Sequence, residues 1–318
     1  MKENSLPKEV YFMNKMNLMR FKIWYFVFSL LIILPGIYFL ITSGLKLGID
    51  FTGGALLEYK FERSVNLNDL KQQISAQGIE VGQITSSLDQ TSSNSNIPVI
   101  YIVRTKPVEH SQIDKLKSYL NEKFGKVEER RVEFVGPVIG SELKQKALIA
   151  VILASLAIVL YISFSFRKMP KPQSSWRFGI AAVVALIHDI LVVVGVFAIL
   201  GKFFSVEIDT LFVTALLTVI GFSVHDTIVV FDRIKENLTK HIGSKFIDVA
   251  NISVIQTLGR SLNTSLTVFF VLLALFLFGG ETLKWFIVAL LVGIFSGTYS
   301  SIFNATALLV WWEEKLEH

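Results

Sequence analysis

The sequence predicts an α-helical polytopic membrane protein with six transmembrane helices and one small α+β domain between the first two of them. Two observations support this class: 52% of the 318 residues are hydrophobic, and the mean hydropathy is +0.54, with the apolar residues gathered in long runs. A run of about 18 or more apolar residues can cross a bilayer as a helix. Because lipid offers no partner for open backbone groups, we expect every span to be helical.

Six runs reach this length, at residues 23–43, 147–166, 178–200, 208–231, 261–278 and 285–311. The first run is too long for a cleavable signal peptide and has no small-x-small cleavage site at its end, so we expect it to remain as an anchor. The predicted divisions are a cytoplasmic N-terminus with the first helix (1–43), a head domain (44–142), helices two to six with their loops (143–315) and a probable tag remnant (316–318).

The distribution of basic residues predicts the orientation. Lys and Arg cluster in three places. Before the first span lie Lys2, Lys8, Lys15, Arg20 and Lys22. The loop between the second and third spans carries Arg167, Lys168, Lys171 and Arg177, and the loop between the fourth and fifth carries Arg233, Lys235, Lys240 and Lys245. The opposite short loops carry only Lys202 and Lys284. Because short cytoplasmic loops are rich in Lys and Arg, we expect both termini in the cytoplasm and the head outside. The net charge of +5 therefore reflects topology and does not indicate nucleic-acid binding.

The head has a legible pattern of strands and helices. Alternating apolar residues predict strands at 55–61, 81–88, 97–105 and 127–135, and helical spacing predicts helices at 67–77 and 111–124, with a Ser/Asn-rich turn at 91–96. One face of the first strand carries Leu57, Tyr59 and Phe61. The order β-α-β-β-α-β predicts a ferredoxin-like domain. Fold does not assign function, so a rigid spacer is an open alternative for the head.

A glycine-rich segment, LGIDFTGG at residues 47–54, joins the first span to the head. Glycine permits positive φ and close backbone approach, so we expect Asp50, Phe51, Gly53 and Gly54 to form a hinge there. Two other roles stay open for Asp50, which are stabilisation of a turn and binding of a cation at the outer face. The strand and helix of a phosphate-binding loop are missing around these glycines.

Titratable residues inside the spans form the candidate functional site. His188 and Asp189 fall in the middle of the third span, and His225 and Asp226 fall in the cytoplasmic half of the fourth. A carboxylate at the bilayer centre costs about 2.5–3.5 kcal/mol or more, so an intramembrane acid indicates an ion or proton pathway by default.

The fifth span supplies a polar helix face. It opens with Arg260, and Asn263, Thr264 and Thr267 follow at i+3, i+4 and i+7. Both Arg260 and Asp226 fall within about two turns of the cytoplasmic edge, so their depths match if the helices adjoin. We therefore expect Arg260 to be the counter-charge of Asp226.

A buried acid with a movable counter-charge has a physical use. Burial favours the neutral acid and a nearby guanidinium favours the carboxylate, so a small change in helix spacing would switch the protonation of Asp226. One charge that falls through the membrane field yields about 2.3 kcal/mol per 100 mV, which biases a conformational equilibrium more than tenfold.

Structural roles remain as alternatives. Asp226 could be a static salt-bridge partner, and Asp189 could organise interhelical hydrogen bonds through His188. We expect His225 to modulate its neighbour rather than carry protons. Gly293 and Gly297 form a GxxxG pattern, which is typical of a packing notch.

Two enzyme classes are excluded. The Gly-x-Gly-Asp context of intramembrane aspartyl proteases is missing around Asp189 and Asp226. Ser223 lies two residues from His225 on one helix, so His225 cannot act as its base. The chain has no cysteine for thiol chemistry. We expect no catalytic activity, no metal and no cofactor, and the intramembrane acids indicate a proton or another ion as the coupling species.

Three motifs resemble the signatures of the SecF family: LGIDFTGG at 47–54, GFSVHDTIVVFDRIKEN at 221–237 and TLGRSLNTSLT at 257–267. The segments ALIHDIL at 185–191 and VEIDTLFV at 206–213 fit the same pattern. The resemblance extends over the whole chain, including the six spans and the outer domain after the first. It implies membership of the resistance-nodulation-division superfamily and a multi-pass protein of the bacterial cytoplasmic (inner) membrane.

The resemblance also implies a function and partners. Proteins of this family pair with SecD beside the SecY-SecE-SecG channel and use the proton-motive force, or sodium in some bacteria, to drive export of unfolded polypeptides. The family's key aspartate falls on Asp226 and its functional arginine on Arg260. His225 departs from the polar residue common before that aspartate, which leaves the coupling ion open. The alternative is half of a small-molecule exporter of the same superfamily, although such exporters carry two large outer domains and about twelve spans.

Overall fold

Six long helices account for most of the protein in a computed structural model, which describes residues 17–88, 99–167, 169–170 and 173–317. The predictions made for Lys2, Lys8, Lys15, Lys168, Lys171, the turn at 91–96 and His318 lie outside these residues. The described chain divides into a helical unit (17–46, 150–206 and 211–317) and a smaller unit that contains the head (47–149 and 207–210).

The six helices are long and apolar enough to cross a membrane, as predicted. They cover Leu18–Ser43, Pro137–Ser165, Ser175–Phe204, Thr210–Lys240, Phe246–Phe278 and Thr282–Lys315, called the first to sixth spans below. The second begins ten residues before the apolar run because Pro137 suits the first helical position and polar residues can extend a helix beyond the lipid. The sixth contains a π-helical turn, Ser300–Asn304, that the sequence did not predict.

Glycines let the spans approach closely. A Cβ atom on Gly195 of the third span would lie 2.7 Å from the Cα of Gly36 in the first, so the two backbones touch. In the sixth span, a Cβ on Gly297 would lie 3.0 Å from the Cβ of Ser223, and one on Gly293 would overlap the side chain of Val219. The predicted GxxxG packing notch is therefore confirmed, with the fourth span as its partner.

Ion pairs tie three spans together at one end of the helical unit. Arg177, near the start of the third span, lies 2.6 Å from Glu313 at the end of the sixth, and both side chains are buried. Lys22 at the start of the first span pairs with Glu314. The first span thus begins on the side where the sixth ends, as an even number of spans requires. The side of the membrane on which they lie stays a prediction.

The head is a four-stranded antiparallel sheet with helices between its strands. Its strands are β1 (Gly54–Phe61), β2 (Val81–Leu88), β3 (Val99–Thr105) and β4 (Val127–Val135), in the sheet order β2-β3-β1-β4. Its helices are Ile49–Thr52, Leu67–Ala76 and His110–Phe124. All six predicted elements agree with the structure to within one residue at each end that the structure describes, and the predicted start of the third strand, 97–98, lies outside the described residues. The short turn Ile49–Thr52 was not predicted.

The apolar face of β1 forms the centre of the head core. Leu57, Tyr59 and Phe61 are at most 1% exposed, as their alternation predicted. Leu67 is 40% exposed because it is the first residue of the helix, after the cap Asn66, and precedes the buried turn. The Tyr59 hydroxyl has no hydrogen-bond partner among the described residues. Its burial, with the carboxylates of Glu129 and Asp114 nearby, raises the pKa of Tyr59.

Substitution Gly195→Ala is expected to destabilise the helical unit by about 1–3 kcal/mol, because the added methyl group cannot be accommodated against the backbone of Gly36. The measurement is the melting temperature of the purified chain in detergent. Gly221→Ala is the matched control, since nothing lies within 4 Å of the added atom and alanine favours the helix. Equal melting temperatures for the two variants would contradict the backbone contact.

Substitution Tyr59→Phe is expected to leave the head stable or to stabilise it by about 1 kcal/mol, because it removes a buried hydroxyl without a partner. The gain should grow above pH ~10, where the unfolded wild-type chain loses the Tyr59 proton that the folded chain retains. Chemical denaturation of the full chain between pH 8 and 11 tests this. Tyr101→Phe is the control and should destabilise, because the Tyr101 hydroxyl bonds to both the N–H and the C=O of Val65 at 2.7 Å.

Candidate functional site

The buried carboxylate of Asp189 joins three spans. It is fully buried in the third span, and its Oδ2 accepts hydrogen bonds from the Ser223 hydroxyl at 2.5 Å and the Ser300 hydroxyl at 2.6 Å. Its Oδ1 accepts one from the Ser296 hydroxyl at 2.8 Å. Hydroxyl donors replace the water that a carboxylate would have outside the membrane. These four residues are called the hydroxyl cage below.

The π-helical turn of the sixth span extends this network. Ser301, next to Ser300, donates its hydroxyl to the backbone carbonyl of Ser223 at 2.9 Å. Thr227, one turn further along the fourth span, donates to the Ser301 hydroxyl at 2.9 Å. A π-helical turn widens a helix locally and is frequent at functional sites. Through this turn Ser300 reaches Asp189 of the third span, while the adjacent Ser301 reaches the fourth span.

His188 has a smaller part in this network than predicted. Its Nδ1 lies 3.0 Å from Oδ1 of Asp189, but the interhelical hydrogen bonds run directly from the serines to the carboxylate and do not pass through the imidazole. The interhelical hydrogen bonds of the alternative left open for Asp189 are therefore present, but three serine hydroxyls make them directly. The buried Nε2 of His188 has no partner among the described residues.

Asp226 has a different environment from Asp189. It is 3% exposed, and its Oδ2 has no hydrogen-bond partner in the part of the chain that the structure describes. It lies one turn after Ser223 on the fourth span, so both side chains share a helix face. The neighbouring His225 is exposed on another face. The predicted intramembrane acid is therefore buried, and at least one of its oxygens is unsatisfied.

The polar face of the fifth span points away from the rest of the chain. Arg260, Asn263, Thr264 and Thr267 are all exposed, and within the described residues the two threonine hydroxyls bond to carbonyls one turn back, at 3.0 and 2.7 Å. Within the described residues, no ion pair joins Arg260 to Asp226. The structure does not bring the two charges together, and their pairing stays a prediction.

The residues of the predicted hinge are closely packed. Phe51 is buried, and Oδ2 of Asp50 accepts hydrogen bonds from the N–H of Thr210 at 2.9 Å and its hydroxyl at 2.6 Å. Gly53 and Gly54 have φ angles of +74° and +143°, which other residues rarely adopt. A Cβ on Gly53 would lie 2.9 Å from the Cα of Pro137, and one on Gly54 would overlap a carbonyl oxygen of β3. Asp50 therefore has a hydrogen-bonding role toward a residue 160 positions away, whereas its stabilisation of a turn and its binding of a cation stay predictions.

Sequence reasoning missed the serines that hold Asp189. Ser296, Ser300 and Ser301 lie within the sixth apolar run, where the spacing i, i+4 of the first two was a signal for one polar helix face. Thr210, the partner of Asp50, carried no such signal because 160 residues separate them. No group of three His, Cys, Asp or Glu side chains that could hold a metal ion occurs among the described residues.

Comparison with known families agrees with the motifs. A family model described as "Protein export membrane protein SecD/SecF, C-terminal" matches residues 115–315. A second, described as "SecD/SecF GG Motif", matches residues 38–65, which include Asp50, Gly53 and Gly54. The first match covers the five spans after the head and part of the head itself, and the second covers the junction.

Curated relatives have similar lengths and share much of the sequence. The protein translocase subunit SecF of Thermobaculum terrenum is 49% identical over 302 residues, which cover 94% of each chain. The SecF subunit of Anaerolinea thermophila is 41% identical over 94% of each chain, and that of Vibrio alginolyticus is 40% identical over 89% of this chain and 85% of its own.

Solved structures show the same architecture in a longer chain. The crystal structure of SecDF, a translocon-associated membrane protein from Thermus thermophilus, matches 94% of this chain with a TM-score of 0.80 and 32% identity. A super-membrane-facing form of SecDF matches 95% with a TM-score of 0.67 and 31% identity. In both cases the match covers 39% of the SecDF chain. With the family models and the curated relatives, these matches establish that the chain belongs to the SecF family of protein translocase subunits.

Proposed function

We propose that this chain acts with SecD to drive or complete the export of unfolded polypeptides through the SecY-SecE-SecG channel, with the proton-motive force as its energy source. The observation that carries the proposal is the pair of buried carboxylates on adjacent spans. Asp189 is surrounded by hydroxyl donors, whereas an oxygen of Asp226 has no partner among the described residues.

The two acids differ in their hydrogen-bond partners, and this difference gives them different roles in the proposal. A buried carboxylate oxygen without a partner is costly as an anion, and the uptake of a proton removes that cost. Proton binding at Asp226 therefore changes the energy of the fourth span strongly. Asp189 has hydroxyl donors on both of its oxygens, so it fixes the position of the helices around it. Sodium is the alternative coupling ion at Asp226.

The exposed face of the fifth span supports a second membrane chain as the partner. A guanidinium and an asparagine side chain that face lipid would each be costly, so another protein surface is expected to cover Arg260 and Asn263. SecD is the natural candidate because the SecDF structures contain this fold as 39% of a longer chain. In this proposal Arg260 reaches Asp226 or an acid of SecD in another state of the cycle.

We further propose the orientation that the basic loops indicate, with both termini in the cytoplasm of a bacterium and the head outside. The antiparallel order β2-β3-β1-β4 with two long helices supports a ferredoxin-like head. The curated relatives described above are named translocase subunits, and nothing in the site favours the small-molecule exporter.

Replacement of Asp226 by Asn is expected to reduce the stimulation of export by the proton-motive force tenfold or more, because the side chain can no longer gain or lose a proton. Export of a secretory precursor is measured in inverted membrane vesicles, with and without a proton gradient, beside proton flux. Asp232→Asn is the matched control, since Asp232 is an exposed acid on the same helix. Undiminished stimulation in the Asp226 variant would refute the proposed role.

Replacement of Ser300 by Ala is expected to destabilise the helical unit by about 1.5–3 kcal/mol, because Asp189 loses one hydrogen bond to a buried charged group. The melting temperature in detergent measures this loss. Ser163→Ala is the control, because the exposed Ser163 hydroxyl bonds only to a carbonyl of its own helix. A variant as stable as this control would show that the hydroxyl cage does not hold the helices.

A further inference from the structure

The start of the fourth span is held by a residue of the glycine-rich junction. Oδ2 of Asp50 accepts both the N–H of Thr210, the first residue of that helix, and its hydroxyl. The first N–H groups of a helix have no partner within it, and a negative charge there is favoured by the helix dipole. Asp50 therefore provides a hydrogen-bond acceptor for the first N–H group of a helix that begins 160 residues later in the sequence.

Two further contacts join the same two segments, and a third joins the second segment to β3. The N–H of Gly48 donates to the carbonyl of Ile208 at 2.8 Å, and Leu47 pairs with Ile208 as an isolated parallel bridge. Arg104 of β3 lies 3.3 Å from Glu207. Residues 207–210 accordingly belong to the same compact unit as residues 47–149. The paired segments 47–50 and 207–210 are called the clasp below.

The glycines beside the clasp leave it little room to bend. A Cβ on Gly48 would lie 3.0 Å from the carbonyl oxygen of Ile208, and one on Gly140 would lie 2.9 Å from the backbone nitrogen of Gly53. Backbone packed this closely resists every rotation that would bring these atoms nearer, because their overlap is sterically forbidden. These contacts describe a tight joint and not a loose hinge.

We propose that the clasp is a rigid connection that transmits movement of the fourth span to the head, with Asp50 as its positioning residue. This inference rests on the proposed function, because it takes Asp226 as the source of the movement. The fourth span is one continuous helix, Thr210–Lys240, and Asp226 lies 16 residues after Thr210, roughly 24 Å along the axis. A hydrogen-bonded helix carries an axial shift or rotation over this length.

The glycine-rich junction follows the first span in sequence, but it is hydrogen-bonded to the fourth. The head is continuous in sequence with the first and second spans, but its base is hydrogen-bonded to the beginning of the fourth. Proton uptake at Asp226 would thus move the head through Thr210 and Asp50. Gly53 and Gly54 serve as close-contact positions that hold Asp50 in place.

The test uses a disulfide, which is simple to interpret because the natural chain has no cysteine. Asp50→Ala is expected to lower proton-driven export about tenfold in vesicles that contain the full chain with SecD, while the amount of complex is unchanged. Residues paired across a bridge lie within the Cα separation that a disulfide spans. The pair Leu47→Cys and Ile208→Cys in the Asp50→Ala background should restore most of the export when oxidised, and reductant should remove the restored part.

Two results would overturn the clasp. One is full activity of Asp50→Ala, and the other is loss of export on oxidation of the cysteine pair in the chain that retains Asp50, since that would show that the clasp must open. Thr210→Ser, which retains both donor groups, should export normally, and a loss there would also count against the proposal. Asp226→Asn is measured in the same vesicles, so that failure of proton coupling itself is recognised separately from failure of the clasp.

Discussion

The hydrogen bonds to Asp189 are the interaction on which the helical unit depends. One carboxylate in the third span receives hydroxyls from the fourth and the sixth, so three helices share a single buried charge. Between apolar helices in lipid there is no hydrophobic drive to associate, and close packing with interhelical hydrogen bonds has to supply it. The glycine contacts between the first and third spans and between the fourth and sixth provide the close packing. The hydroxyl cage provides the interhelical hydrogen bonds, which fix how the three helices are oriented toward one another.

The same arrangement separates the two intramembrane acids into a fixed one and a free one. Asp189 and Asp226 lie on adjacent spans, and Ser223 connects them, since it bonds to the first and lies one turn before the second. The position of the fourth span, and with it the position of Asp226, is therefore set by the cage. At its start this helix is held by Asp50. Asp226 lies three residues beyond the Ser223 contact, so under the proposed function a proton acts on a helix that is fixed at its start and near its middle.

The sequence predicts the features that depend on local periodicity and fails for those that depend on distant partners. The six spans and the four strands of the head follow from run length and alternation. The π-helical turn at Ser300 has no composition signal, and a serine within an apolar helix is equally compatible with a bond to its own backbone. The contact of Asp50 with Thr210 requires knowledge of how two distant segments meet. The expected pairing of Arg260 with Asp226 also depends on which helices meet, and it stays a prediction because Arg260 is exposed in this structure.

The π-helical turn has a consequence for the geometry of the sixth span as a whole. A five-residue turn contains one residue more than the regular helix needs, and each residue advances a helix by about 100°. Before the turn, Ser296 donates to Asp189. The last residue of the turn, Asn304, donates to Ser29 at 2.6 Å, and after the turn Glu313 pairs with Arg177. An uninterrupted α-helix would be out of phase and could satisfy only one of these groups. The additional residue rotates the following part of the helix about its axis. The two halves of the sixth span can therefore present their polar side chains to neighbours that lie in different directions.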